Sequence, residues 1–255
     1  MLDYKIIKND PIDWRMLQNE VATILSDCGF DTATEKTIET VRGRVEVDVF
    51  ATKSNAYTNT VLCECKYWNT PVPQTVIHAF RTVVEDSGAS QGIIISKAGF
   101  QKGAYESVVK SNLILLNWEE FQNAFALEYV CYVVDRNFKK GHELRVKANT
   151  VLETYQKHPS VLSDKEFENF QLLREAYNDF LFYSFREHYE HLDTREITLC
   201  EVNRGIATAK RDLKIEVNSL KEYFDLIFTK CQEEILKVDS VLLMVRNRQE
   251  KEKNK

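Results

Sequence analysis

Val45-Glu46-Val47-Asp48-Val49-Phe50 and Val61-Leu62-Cys63-Glu64-Cys65-Lys66-Tyr67 are two runs of β-branched and apolar residues with acids embedded in them. Such runs read as strands. Successive side chains of a strand point to opposite faces, so Glu64 and Lys66 share one face while Val61, Cys63 and Cys65 enter the other. The same alternation predicts Glu46 and Asp48 on one face, opposite Val45, Val47 and Val49. With the two strands as neighbours in register, Asp48, Glu64 and Lys66 converge on one spot.

Two carboxylates and an ammonium at one point have a specific chemical use. Mg²⁺ takes one or two carboxylates and completes its shell with water and substrate phosphate, and Asp48 with Glu64 supplies that number. Phosphodiester hydrolysis needs an attacking hydroxide, charge neutralisation at the phosphoryl oxygens and stabilisation of the leaving oxygen. A metal with a neighbouring lysine assists all of these. Glu20 is expected to join from the side, as a second-metal ligand or by orienting a ligating water.

Around this centre the order of elements is legible. Trp14, Leu17, Val21, Ile24 and Leu25 recur at helical spacing after Asp13, a suitable N-cap, and the helix stops near Gly29. Thr37–Val41 and Val45–Ala51 read as a hairpin about Arg42-Gly43-Arg44, and 59–67 as a third strand. Pro71 and Pro73 break the chain. Val76, Phe80, Val83 and Val84 then predict a helix to Ser87-Gly88. Gly92–Ser96 suits a buried strand, Gln101–Lys110 a helix and Leu113–Trp118 a second buried strand. The prediction is an α/β fold with a mixed sheet flanked by helices.

Past Glu120 glycine is rare, and apolar and charged residues mix at helical spacing, so an all-helical region is expected. Ser163 with Glu166 forms a capping-box pattern, and Asn218 or Ser219 is a second cap. Arg246 to Lys255 reads as a frayed or disordered tail. Two domains are expected, 1–121 for chemistry and 122–255 for target recognition, partner binding or oligomerisation. The 255 residues are 44% hydrophobic and 29% charged, as in ordinary globular chains. A net charge of −5 excludes a uniformly basic nucleic-acid coat and leaves room for a local positive groove. Neither a membrane span nor a signal peptide is evident, so a cytoplasmic location is expected. The six cysteines lack zinc-site or disulfide-scaffold spacing and are expected as reduced, buried thiols.

Taken together, Glu20 on a helix, Asp48 and Glu64-x-Lys66 on strands, and the alternating elements beyond them resemble the PD-(D/E)xK nuclease superfamily, in particular the Mrr-like restriction endonuclease domain. The resemblance covers about residues 12 to 121. It extends to the Cys65-Lys66-Tyr67-Trp68 strand exit, to Gly88-Ala89 before Gly92-Ile93-Ile94-Ile95-Ser96, and to Gly99-Phe100-Gln101-Lys102-Gly103-Ala104. It implies a restriction-endonuclease-like fold and a Mg²⁺-dependent endonuclease, with Mn²⁺ as a substitute, acting on DNA in restriction-like defence. It further implies that Asp48, Glu64 and the backbone carbonyl of Cys65 bind the metal. Lys66 would position or deprotonate the attacking water, and Glu20 maps to the helix-borne acid. Val47 stands where the superfamily's name anticipates proline, which leaves the ligand set intact.

Rival readings are a catalytically silent DNA-binding or assembly module on a nuclease fold, and a nuclease for RNA or repair intermediates. Cys63 and Cys65 read as core thiols. His188 and His191 have an i, i+3 spacing that can bind metal, but they read as surface histidines beside Glu187 and Glu190. Tyr67 and Trp68 are placed either against a base in the substrate groove or under the Pro71-Pro73 turn. Arg42, Arg44, Lys97, Lys102 and Lys110 are candidate phosphate contacts. The aromatic series Phe167, Phe170, Tyr177, Phe180, Phe182, Tyr183, Phe185 and Tyr189 predicts core, with a residual face for a homodimer or partner protein.

Overall fold

The structure, a computed structural model, describes residues 5–54, 58–183 and 199–253. It comprises two compact units, one of Lys5–Tyr132 and one running on from Val133. The first is built on helix α1 (Trp14–Asp27), strands β1 (Asp31–Thr40), β2 (Gly43–Ser54) and β3 (Thr58–Lys66), then α2 (Gln74–Ser87), β4 (Gln91–Ser96), α3 (Lys102–Ser107) and β5 (Leu113–Leu116). The Asp13 carboxylate caps α1 by accepting from the Met16 N–H at 2.7 Å.

The strands lie in the order β1-β2-β3-β4-β5. β1, β2 and β3 are antiparallel neighbours, whereas β3, β4 and β5 run parallel, joined by the crossovers through α2 and α3. The hairpin strands are longer than predicted, because β1 already starts at Asp31. Asp31-Thr32-Ala33-Thr34-Glu35-Lys36 has too little apolar character to announce a strand. β1 lies at the sheet's edge, where polar side chains stay in water and the ladder to β2 fixes the backbone.

The core on the α2 side gathers Ile38, Val47, Leu62, Ile77, Phe80, Val84 and Ile94. Gly92 lets β4 approach α2: a Cβ there would lie 2.5 Å from Leu113 and 2.6 Å from Val84. Gly92→Ala is therefore expected to destabilise the domain by about 1–3 kcal/mol, as overpacking of a close-packed core does. Urea denaturation checks this, and an unchanged midpoint would refute it.

The alternation expected along β2 does not hold through Asp48. Val45, Val47 and Phe50 all pack on the α2-side core, although regular pleating would put Val47 and Phe50 on opposite faces. The strand changes face between them. Two irregularities coincide there. Glu35, passed over together with Asp48 between the pairs Thr34–Val49 and Lys36–Val47, has φ +50°, a rare value for a residue with a Cβ. On the other side, the β2–β3 ladder begins only at Val49–Cys63.

The helical unit takes in the later part of α4 (Trp118–Lys157), a 3₁₀ turn at Pro159–Val161, α5 (Asp164–Tyr183), α6 (Leu199–Leu213) and α7 (Leu220–Lys253). Leu144, Val151, Phe170, Cys231, Ile235, Val238 and Val245 form its core. Phe170 is buried as expected, and Phe167 stacks on Tyr155 with ring centroids 3.8 Å apart. Phe185, Tyr189, His188 and His191 lie outside the described residues, and the side chains of 176–183 are likewise not described. Ser219 caps α7, accepting from the Glu222 N–H at 3.1 Å. Contrary to the frayed tail expected, helix continues through Arg246 to Lys253. Arg248 explains part of this, since its guanidinium donates to both oxygens of Glu166 at 2.8 Å. Among the described residues no helix is long and apolar enough to cross a membrane.

Glu166 also accepts from the Ser163 N–H and hydroxyl at 2.8 and 2.9 Å, the capping box read from the sequence. The Arg248 guanidinium first, and then Ser163, hold the Glu166 carboxyl down to about 2. A carboxyl lower in the folded than in the unfolded chain stabilises the fold above its ordinary pKa. That contribution is lost as pH falls through the folded value. The Tm difference between wild type and Glu166→Gln is thus expected at pH 7 and should close between pH 4.5 and about 2. A gap that persisted undiminished at the acid end would contradict the linkage.

Candidate active site

The site forms where β2 and β3 part. Beyond the last ladder pair, Val49–Cys63, Asp48 turns its carboxylate onto the neighbouring backbone: Oδ2 accepts from the Cys65 N–H at 2.6 Å. Its other oxygen, Oδ1, accepts from the side-chain amide of Gln18 on α1 at 2.7 Å. Both oxygens are thereby held by neutral donors, and each keeps lone-pair capacity facing away from them.

β3 carries Glu64 and Lys66 on one face, as pleating requires, and their side chains form an ion pair. Each is about one-fifth exposed. Burial first, and then the negative charge of Asp48, raise the Glu64 carboxyl above the ordinary range; the Lys66 bond opposes this. Lys66 is the cation that opposes this rise. Lys66 Nζ also lies 5.5 Å from the centre of the Trp68 ring.

Cys63 and Cys65 enter the opposite, apolar layer. Their thiols are raised by burial, so they are core groups, and it is the backbone of Cys65 that contributes here. The structure thus gathers Asp48, Glu64, Lys66 and Cys65. Glu20 is on α1, two residues beyond Gln18 and therefore about 200° further round the helix. Among the described residues no three His, Cys, Asp or Glu side chains gather as a metal cluster. Two carboxylates, Asp48 and Glu64, are neighbours here, a number that suits one hard cation with water and phosphate completing its shell.

Gln18 is the residue that sequence reasoning missed. In the structure it is only 6% exposed and falls inside the stripe of Leu17, Val21, Ala22 and Leu25, where a polar side chain needs a buried partner. Of the candidate phosphate contacts, Arg42 pairs with Asp86 at 2.9 Å and Arg44 with Glu39 at 3.3 Å. Lys97 is anchored beside the site, bonded to Asn69 at 2.9 Å and 4.2 Å from the Tyr67 ring centre.

Residues 9–125 match the Mrr_cat family, described as restriction endonuclease. Among solved structures, a protein of unknown function is 19% identical with TM-score 0.37, over 79% of this chain and 99% of that one. A repair endonuclease from Pyrococcus abyssi is 17% identical with TM-score 0.31, over 44% of this chain and 50% of that one. No curated protein matches the chain. The five-stranded mixed sheet flanked by helices is restriction-endonuclease-like, and residues 9–125 form a nuclease domain of the Mrr_cat restriction endonuclease family.

Proposed function

We propose that the chain is a Mg²⁺-dependent endonuclease that hydrolyses DNA, with Asp48, Glu64 and Lys66 as its catalytic residues. The observation that carries this is the pinning of Asp48, by Gln18 and the Cys65 N–H, beside the Glu64–Lys66 pair. Asp48, Glu64 and the carbonyl of Cys65 would hold Mg²⁺ or Mn²⁺, which supplies Lewis acidity at the phosphoryl oxygen and acidifies a water.

The protein's own groups do the rest. Asp48 needs no rotamer search, because both oxygens already have partners, so one ligand is set before substrate arrives. Glu64, raised by burial, shares its charge with whichever cation is near. With such an ion held there, Glu64 would have a second cation beside it, and the Lys66 ammonium would be available to the phosphate. There it orients the attacking water or neutralises developing charge. Glu20 is retained as a proposed accessory acid on the strength of the family resemblance alone.

Chemistry is assigned to residues 1–121, and recognition of a target, a partner protein or a second copy to the helical remainder, 122–255. Restriction-like defence against foreign DNA follows by analogy with the family. The test is incubation of the purified chain with modified and unmodified duplex DNA, and with RNA, in Mg²⁺, Mn²⁺ or EDTA. Cleavage of DNA that requires the cation is the expected outcome; binding with no cut of any substrate would overturn it.

A further inference from the structure

The adjacent ends of β3 and β4 each present a lysine. Lys66 closes β3 and pairs with Ser96 in the parallel ladder; Lys97, exposed, is the first residue past β4. The Lys97 N–H continues the ladder by donating to the Lys66 carbonyl at 3.0 Å. Pleating sends the side chains of Lys66 and Tyr67 to opposite faces, and those of Ser96 and Lys97 likewise. The contacts agree. The Lys66 ammonium lies 5.5 Å from the Trp68 ring, two residues on, whereas the Lys97 ammonium lies 4.2 Å from the Tyr67 ring. Two backbones in direct contact thus hold one ammonium on each face of the strand ends.

The partners of Lys97 set it apart from other cations of the same unit. Lys5 pairs with Asp10, Arg42 with Asp86, Arg44 with Glu39, Lys53 with Glu128 and Lys66 with Glu64. Lys97 has neutral partners alone among the described residues: the Asn69 side-chain oxygen at 2.9 Å and the Tyr67 ring. Asp10 and Glu119 line a cavity of about 310 Å³ together with Lys97, yet neither forms an ion pair with it. An amide oxygen and a π-face fix the direction of an ammonium without cancelling its charge. Asn69 takes one of its three donors and leaves the others for an anion.

We propose that Lys97 binds a phosphate of the substrate strand flanking the scissile one, and so fixes where that strand lies over Lys66. The proposal rests on the nuclease reading above. Because the two ammonium groups leave opposite faces, they meet different phosphates of one strand. In a chain of net charge −5, a cation anchored but not neutralised beside two carboxylates is what lets a polyanion approach them. Backbone contacts of this kind set register and orientation and carry no base preference.

The test compares the full chain with Lys97→Gln, which removes the charge, and Lys97→Arg, which keeps it. Duplex binding is followed against salt in EDTA, so that substrate stays uncut. The slope of log K against log salt should be smaller by about 0.9 in Lys97→Gln, one phosphate's share, with affinity about tenfold weaker near 0.1 M salt. Lys97→Arg should restore both. With Mg²⁺, kcat/KM of Lys97→Gln should fall by a similar factor, carried by KM. At a mapped cut, an uncharged methylphosphonate is then placed at successive linkages. One flanking linkage should slow wild type about tenfold and make no difference in Lys97→Gln. An unchanged salt slope, a loss confined to kcat, or linkages that slow both proteins alike overturns the contact. A chain that cuts no DNA but loses one phosphate's salt dependence in Lys97→Gln keeps the phosphate contact and sinks the nuclease reading. Cutting in which Lys97→Gln matches wild type throughout does the reverse.

Discussion

Asp48→Ala and Lys66→Ala are each expected to cut DNA about a thousandfold more slowly than wild type under single-turnover conditions, the scale lost when a preorganised electrostatic group is removed. The two should differ in what survives. Asp48→Ala removes a cation ligand, so binding of Mn²⁺, followed by calorimetry or electron paramagnetic resonance, is lost along with cleavage. Lys66→Ala keeps both carboxylates, so it should still bind Mn²⁺ while failing to cut. Its Glu64 loses the group that opposes burial. The variant's cation binding should therefore begin to weaken at a higher pH than wild type's as pH falls. Undiminished cleavage by both variants would end the assignment.

Gln18→Glu should convert a quiet support into a third carboxylate. The substitution is nearly isosteric and sets an acid where an amide now donates to Asp48 at 2.7 Å. Two like charges about 4 Å apart repel by about 4 kcal/mol at an effective dielectric near 20. Without divalent cations the variant is thus expected to melt well below wild type, or to take up a proton that wild type does not. With Mg²⁺ or Mn²⁺ the sign reverses: the extra charge attracts the ion, and Tm should rise with cation concentration more than wild type's does. Gln18→Leu, which withdraws the donor, should lose Asp48's anchor with no gain in cation dependence. Coincident melts of Gln18→Glu and wild type, with and without cation, would show that Gln18 does not govern Asp48.

Much of this was readable from residue order. The Glu64–Lys66 pair follows from pleating alone, and α1, α2, β4 and β5 announce themselves by periodicity and punctuation. The nuclease family follows from the same acids in that order of elements. What could not be read depends on tertiary partners. Gln18 looks like any helix polar residue until the sheet decides which face of α1 is buried. Glu20, which draws the eye as an acid, sits off that stripe. The face change at Asp48 coincides with an irregular backbone angle at Glu35, on a strand whose own first half was too polar to announce itself. The helical extension past Arg246 depends on Glu166, some eighty residues earlier in the chain.

That angle at Glu35 has a further effect, on solubility. β1 is ten residues long and lies at the sheet's edge, where a flat strand offers its outer amides and carbonyls to any passing chain as a template for aggregation. The left-handed φ of Glu35 falls midway along that edge, and the exposed Glu35, Lys36 and Glu39 set charge on it.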